Sequence, residues 1–215
     1  MRSKRKTAAL LREYIKGLLR EENVIKRLRV FDFDDTLVVT DAKVWVISKT
    51  GVRTALTPGE FAVYEPKRGE TFDFTDFHQL INPRAITWTG RILRNVYNKY
   101  GPDGLVILSA RSTPSPIIKF MNDIGLGDVE VKALNNADPK MKAMWIDTWI
   151  RERGLNYVEF FDDSHKNIAA VKELRKLHPD VHIIVRHVVH THPPTHGFSK
   201  HYGTKQEPTS VQRHR

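Results

Sequence analysis

Three aspartates, Asp32, Asp34 and Asp35, lie in a stretch whose bulky residues are Leu28, Val30, Phe31 and Phe33. The bulky residues suit a short buried strand, which need not alternate. Carboxylates at the end of such a strand are costly to bury unless something positive meets them. Asp32 and Asp34 are two apart, so in extended backbone they point the same way. Two carboxylates aimed at one spot repel each other unless a cation lies between them or one holds a proton. Both remedies are useful chemistry. A hard divalent ion such as Mg²⁺ accepts one or two carboxylates together with substrate phosphate. A carboxylate beside it can attack phosphorus, and a protonated neighbour can serve the leaving group.

Later apolar runs also end in polar residues. Leu105–Leu108 ends in Ser109-Ala110-Arg111, and Tyr157–Phe161 ends in Asp162-Asp163-Ser164. A hydroxyl at the C-terminal end of a strand suits a phosphate oxygen, although an apolar run followed by Ser is common. Arg111 adds a second phosphate contact or pairs on the surface. Between these runs, Asp138-Pro139 starts a helix that reaches Arg153, with Gly154 after it. Trp145, Ile146, Trp149 and Ile150 form its apolar stripe. At about 100° per residue, Lys142 falls in the middle of that stripe and Lys140 on the opposite face. A lysine so placed snorkels to solvent or reaches a buried anion.

Residues 32–37, Asp-Phe-Asp-Asp-Thr-Leu, resemble the first motif of the haloacid dehalogenase (HAD) phosphohydrolase superfamily, DxDx(T/V)(L/V). The common Gly after the second Asp is Asp35 here, which adds charge near the metal. Leu-Ser-Ala-Arg at 108–111 resembles the second motif, and the strand ending at Asp162-Asp163 the fourth. The resemblance spans 29–188, and the run is also similar to small bacteriophage-encoded HAD proteins, through Leu-Thr-Pro-Gly-Glu-Phe at 56–61 and Phe-Phe-Asp-Asp-Ser at 160–164. It implies Asp32 as nucleophile and Asp34 as general acid/base. It implies Mg²⁺ held by Asp32, the backbone carbonyl of Asp34, and Asp162 or Asp163. Thr36 orients the loop, and Ser109 binds phosphate. The family's lysine is assigned to Lys142, with Lys140 as the second choice.

The elements that must position these groups alternate strand and helix, which argues for a parallel sheet. Helices are expected over 86–100, 116–124, 138–153 and from Ser164 to about His178, with strands at 129–134 and 181–185 between them. The expected fold is α/β, a Rossmannoid three-layer domain with a five-stranded parallel sheet. By resemblance the strand carrying Asp32 is central, flanked by those ending at Ser109 and Asp162. In such sheets ligands bind beyond the carboxyl ends of the strands. Residues 38–83 form a small flap or cap insert. Lys43–Ser48 and Val52–Leu56 read as a hairpin turned at Lys49-Thr50-Gly51. The insert's aromatics Phe61, Tyr64, Phe72, Phe74 and Phe77 fill its own core in preference to stacking bases.

The ends differ from the middle. The chain of 215 residues carries a net charge of +10, with ten Lys/Arg against three Asp/Glu in residues 1–29 and five against one in residues 186–215. The middle is near neutral. Residues 7–28 read as a basic helix with Leu11, Tyr14, Ile15 and Leu18 on one face. That helix can pack on the core, lie on nucleic acid or mediate self-association. The segment 189–215 holds His190, His192, His196 and His201 without apolar periodicity and reads as a disordered tail. The chain has no cysteine, which fits a reducing cytoplasm, the host's if the chain is phage-encoded. No run suits a membrane span or a signal peptide.

The expected activity is therefore Mg²⁺-dependent phosphate-ester hydrolysis through an aspartyl-phosphate. The expected substrate is a nucleotide or a phosphorylated nucleic-acid end, because cationic ends suit a polyanion. Two other classes fit the same residues: a nucleic-acid-binding protein on this scaffold, and a virion-associated phage protein with weak or no turnover.

Overall fold

The structure, a computed structural model, describes residues 26–62 and 64–189. In chain order its strands are β1 (Arg27–Phe31), β2 (Val38–Val39), β3 (Val44–Ile47), β4 (Arg53–Leu56), β5 (Thr71–Asp73), β6 (Arg84–Ala85), β7 (Leu105–Ser109), β8 (Glu130–Ala133), β9 (Tyr157–Asp162) and β10 (His182–His187). Its α-helices are α1 (Pro58–Ala62), α2 (Thr87–Tyr100), α3 (Ser115–Asp123), α4 (Pro139–Arg153) and α5 (His165–Leu177).

Five strands form one parallel sheet in the order β10-β9-β1-β7-β8. The central strand is β1, between β7 and β9. All five residues of β7 are buried, as a strand covered on both faces requires. One face carries Leu28, Val30, Val106, Val158 and Phe160, packed against Ala143, Ile146, Trp149, Val171 and Leu174 of α4 and α5. The other carries Phe31, Leu105, Ile107 and Phe161, packed against Leu93, Ile117 and Met121 of α2 and α3. Strand order reverses about β1, so the crevice beyond the carboxyl ends of β1 and β9 is where such a sheet takes a ligand.

Local chemistry sets the element ends. The Asp138 carboxylate caps α4 by accepting from the Lys140 amide at 2.9 Å, and Pro139 opens the helix. The Ser164 hydroxyl caps α5 by accepting from the Asn167 amide. Gly104 turns the chain into β7 at φ +74°, and a Cβ there would lie 2.2 Å from the Arg27 carbonyl oxygen. Only glycine fits that approach.

The insert leaves the domain through a two-stranded ladder of β2 and β6 and contains an antiparallel sheet in the order β4-β3-β5. The expected hairpin turns at Gly51, φ +82°. Phe61, Tyr64, Phe72, Phe74 and Phe77 contact one another at ring-centroid distances of 5.2–6.5 Å, so they pack among themselves.

Of the helix expected over 7–28, residues up to 25 lie outside the described residues. At its end the expectation fails: Arg27 and Leu28 already belong to β1, and Leu28 is fully buried in the sheet. Leu28 and Val30, buried at β spacing, outweigh the helical spacing carried by Ile25. The His-rich tail from His190 also lies outside the described residues. Among the described residues, no helix is long and apolar enough to cross a membrane.

Candidate metal centre

The site grows from the adjoining ends of β1 and β9. Phe31 and Phe161 are register partners, and their rings stack at 4.3 Å between centroids. Phe31, Phe33, Phe160 and Phe161 are all fully buried. Each such side chain contributes about 1.5–3 kcal/mol by leaving water, which makes a stiff floor. One residue beyond this pair lie Asp32 and Asp162, both buried, and the Asp32 amide donates to the Phe161 carbonyl at 2.9 Å.

Lys142 reaches them from α4. Its Nζ donates to Asp32 Oδ1 at 2.6 Å and to Asp162 Oδ2 at 2.7 Å. It lies on the buried face beside Ala143 and Ile146, whereas Lys140 is exposed. Asp163 completes the group: one carboxylate oxygen each from Asp32, Asp162 and Asp163 lie within 4.8 Å of one another. One ammonium thus faces three carboxylates.

The electrostatics follow from that count. Burial pushes the Asp32 carboxyl well above its ordinary range, opposed by Lys142 and reinforced by Asp162, Asp163 and Asp34. Burial, then Asp162 and Asp35, push Asp163 up to about 6. For Lys142, burial acts to lower the pKa, but Asp32 and Asp162 overcome it and the ammonium is held charged. The pocket therefore carries more negative charge than Lys142 neutralises.

The oxygens are not equivalent. Asp162 accepts from Lys142, from the Ser164 amide at 2.8 Å and from Asn167 Nδ2 at 2.9 and 3.0 Å. Its acceptor capacity is nearly used. Asp163 is half-buried; its carboxylate accepts a backbone N–H and a long contact from Thr36 Oγ1 at 3.4 Å. Its lone pairs are the more open ones. A set of carboxylate oxygens with no nitrogen or sulfur donor suits a hard divalent cation. The fit is thus both chemical and electrostatic.

The other expected residues lie around this group. Thr36 is fully buried, and its carbonyl accepts from the Thr89 hydroxyl at 2.6 Å, which pins the loop after β1 to α2. Ser109 is buried at the end of β7, where its Oγ accepts from the Arg111 amide at 3.2 Å. The Asp34 side chain is not part of the three-aspartate group. Backbone extension ends at Phe31, and Asp34 bridges to Val38 across a turn in which Asp35 takes φ +54°. Left-handed backbone is tolerated by Asp, so Asp35 takes this turn without being glycine. Asp34 turns instead to Arg111, whose Nε and Nη2 bond its two oxygens at 2.8 and 2.7 Å. Arg111 is buried and held by that fork and by insert carbonyls, so the expected alternative of a surface pair does not occur.

Three participants escape a reading of the sequence. Asn167 grips Asp162, Thr89 holds the Thr36 loop, and His187 Nε2 lies 2.7 Å from the Asp163 carbonyl oxygen. For Asn167 a signal existed, three residues after the capping Ser164. Thr89 and His187 reach the site only through tertiary packing. The chain matches no protein-family model and no curated protein.

Proposed function

We propose that the chain is a Mg²⁺-dependent phosphohydrolase of the HAD type. The observation that carries this reading is the buried Asp32–Asp162–Asp163 group with Lys142, at the carboxyl edge of the sheet beside Ser109. Asp32, Asp163 and the loop at Asp34 would hold the ion, which when bound offsets the negative charge of a phosphoryl group. An Asp32 carboxylate oxygen attacks phosphorus in line as the ester P–O bond breaks, and Asp34, entering the step protonated on a lone pair that the Arg111 fork leaves open, gives that proton to the leaving oxygen. Asp34 then takes a proton from water as the water oxygen attacks the aspartyl-phosphate. The P–O bond to Asp32 breaks, phosphate departs and both carboxyl groups return to their starting states. Lys142 holds the Asp32 carboxylate in place, and Ser109 supplies a hydroxyl for a phosphoryl oxygen.

The test is hydrolysis of p-nitrophenyl phosphate with Mg²⁺ by the full chain. Asp32→Asn should lower kcat by about 10³-fold or more, because a nucleophile lost cannot be replaced by its amide. Turnover by Asp32→Asn at the wild-type rate would overturn the mechanism.

For the substrate we propose a nucleotide or a phosphorylated nucleic-acid end. The support is charge placement: the basic excess sits in residues 1–29 and 186–215. A polynucleotide releases counterions at each phosphate contacted, and a mononucleotide releases few. Turnover of a 3′-phosphorylated oligonucleotide should therefore fall steeply with NaCl while turnover of a mononucleotide barely changes. Equal salt dependence for both substrates would remove the nucleic-acid end from the reading.

A further inference from the structure

We propose that Arg111 is a positioning residue that ties the insert to Asp34, so that the seat of residues 77–79 sets where that carboxylate points. Its part in turnover rests on the phosphatase reading above; the link itself does not.

The root of Arg111 is fixed by the sheet edge. Its amide donates to Ser109 Oγ, and its carbonyl accepts from the Asn135 amide at 2.9 Å. Its head bridges two distant stretches of chain. Nε and Nη2 fork onto the Asp34 carboxylate, and Nη1 donates to the carbonyls of Phe77 at 2.6 Å and Gln79 at 3.1 Å. The guanidinium carbon also stands 5.1 Å from the centre of the Phe77 ring and 5.8 Å from that of Phe33. The insert is held close by at the Asp76 carboxylate, which accepts from the Lys43 amide at 3.0 Å.

A buried guanidinium has a fixed planar set of donors. If residues 77–79 lift away, Nη1 loses both acceptors; if Asp34 turns away, the fork loses both of its own. Leaving buried donors unpaired is costly, so each partner stabilises the seat of the other. The fork also fixes the plane of the Asp34 carboxylate and leaves a lone pair on each oxygen for a reacting group. Lysine keeps the charge but cannot make a fork and reach two carbonyls at once.

The experiment is amide hydrogen exchange on the full chain, with α5 as the internal reference. Arg111→Lys and Asp34→Asn should each speed exchange at residues 75–80 by about tenfold, and the double variant should go no further than the faster single one. If Asp34→Asn leaves these amides at the wild-type rate, or if the two effects multiply, the link is wrong. Arg111→Lys is preferred to Arg111→Ala, which removes a buried side chain and can fail to fold. In turnover of p-nitrophenyl phosphate, Arg111→Lys should lower kcat by about a hundredfold with KM changed by less than about threefold. A raised KM with kcat retained would make Arg111 a phosphate ligand and overturn the positioning role. If the wild-type chain has no turnover, the phosphatase reading falls, and the exchange result still decides the link.

Discussion

Two ion networks lie on the same pair of strands, and they are built oppositely. Near the start of β1 and β9, Glu159 accepts from Arg29 Nε at 3.2 Å, from Arg186 Nε at 2.8 Å and from the Tyr157 hydroxyl at 3.3 Å. Two cations share one carboxylate, and Arg186 is 51% exposed, so water helps to solvate the surplus charge. At the other end, three carboxylates share Lys142, and Asp32 and Asp162 are buried with it. The first arrangement is enough to fasten one strand to the next. The second leaves one ammonium among three carboxylates, and burial, reinforced by the neighbouring carboxylates, pushes two of its carboxyls up. Such an imbalance is expensive for folding and is characteristic of places where charge is used.

Breaking each network tests that contrast. Lys142→Met, measured by urea unfolding at pH 7 without divalent ions, should cost about 3–5 kcal/mol, the usual loss when one partner of a buried pair is removed. A loss below about 1 kcal/mol would mean that the carboxylates do not depend on the ammonium. Asp163→Asn should act in the other direction. Its folded pKa of about 6 lies above the unfolded value, so the folded state binds the extra proton. The wild-type protein is thus favoured at low pH and loses stability as pH rises from about 4 through 6. The variant should be more stable than wild type above pH 7, by on the order of 3 kcal/mol, and should lose that advantage near pH 4. An advantage that does not vary with pH would place the cause outside Asp163 ionisation. The smallest effect belongs to the other network: Arg186→Ala should cost less than about 1 kcal/mol and shrink further in high salt.

The sequence made the scaffold of this contrast readable. Apolar runs ending in Asp32, Ser109 and Asp162 told where the strands stop, and Lys142 stood out because a lysine broke an apolar stripe. Asp138, Pro139 and Gly154 marked both ends of α4 by local chemistry alone. What stayed hidden depends on chain bends and on distant contacts. Spacing puts Asp34 on the side of Asp32, but it does not show that Arg111 forks onto the Asp34 carboxylate. Arg111 reads as a phosphate contact or a surface pair, and nothing in the sequence shows that the carbonyls of Phe77 and Gln79 meet it in a buried position. The start of β1 is hidden because helical and strand spacing overlap in a short run of alternating Arg, Leu and Val.

The central claim is that the excess of carboxylate over ammonium is the seat of a divalent cation. Isothermal titration calorimetry of Mg²⁺ into the full chain, with Asp163→Asn beside it, tests this most directly. The wild-type chain should bind one ion at this site, more tightly as pH rises through about 6, because Asp163 must shed its proton to act as a ligand. Asp163→Asn should bind at least about tenfold more weakly and lose that pH dependence. Wild-type protein that takes up no Mg²⁺, or a variant that binds it equally well at every pH, would contradict the account.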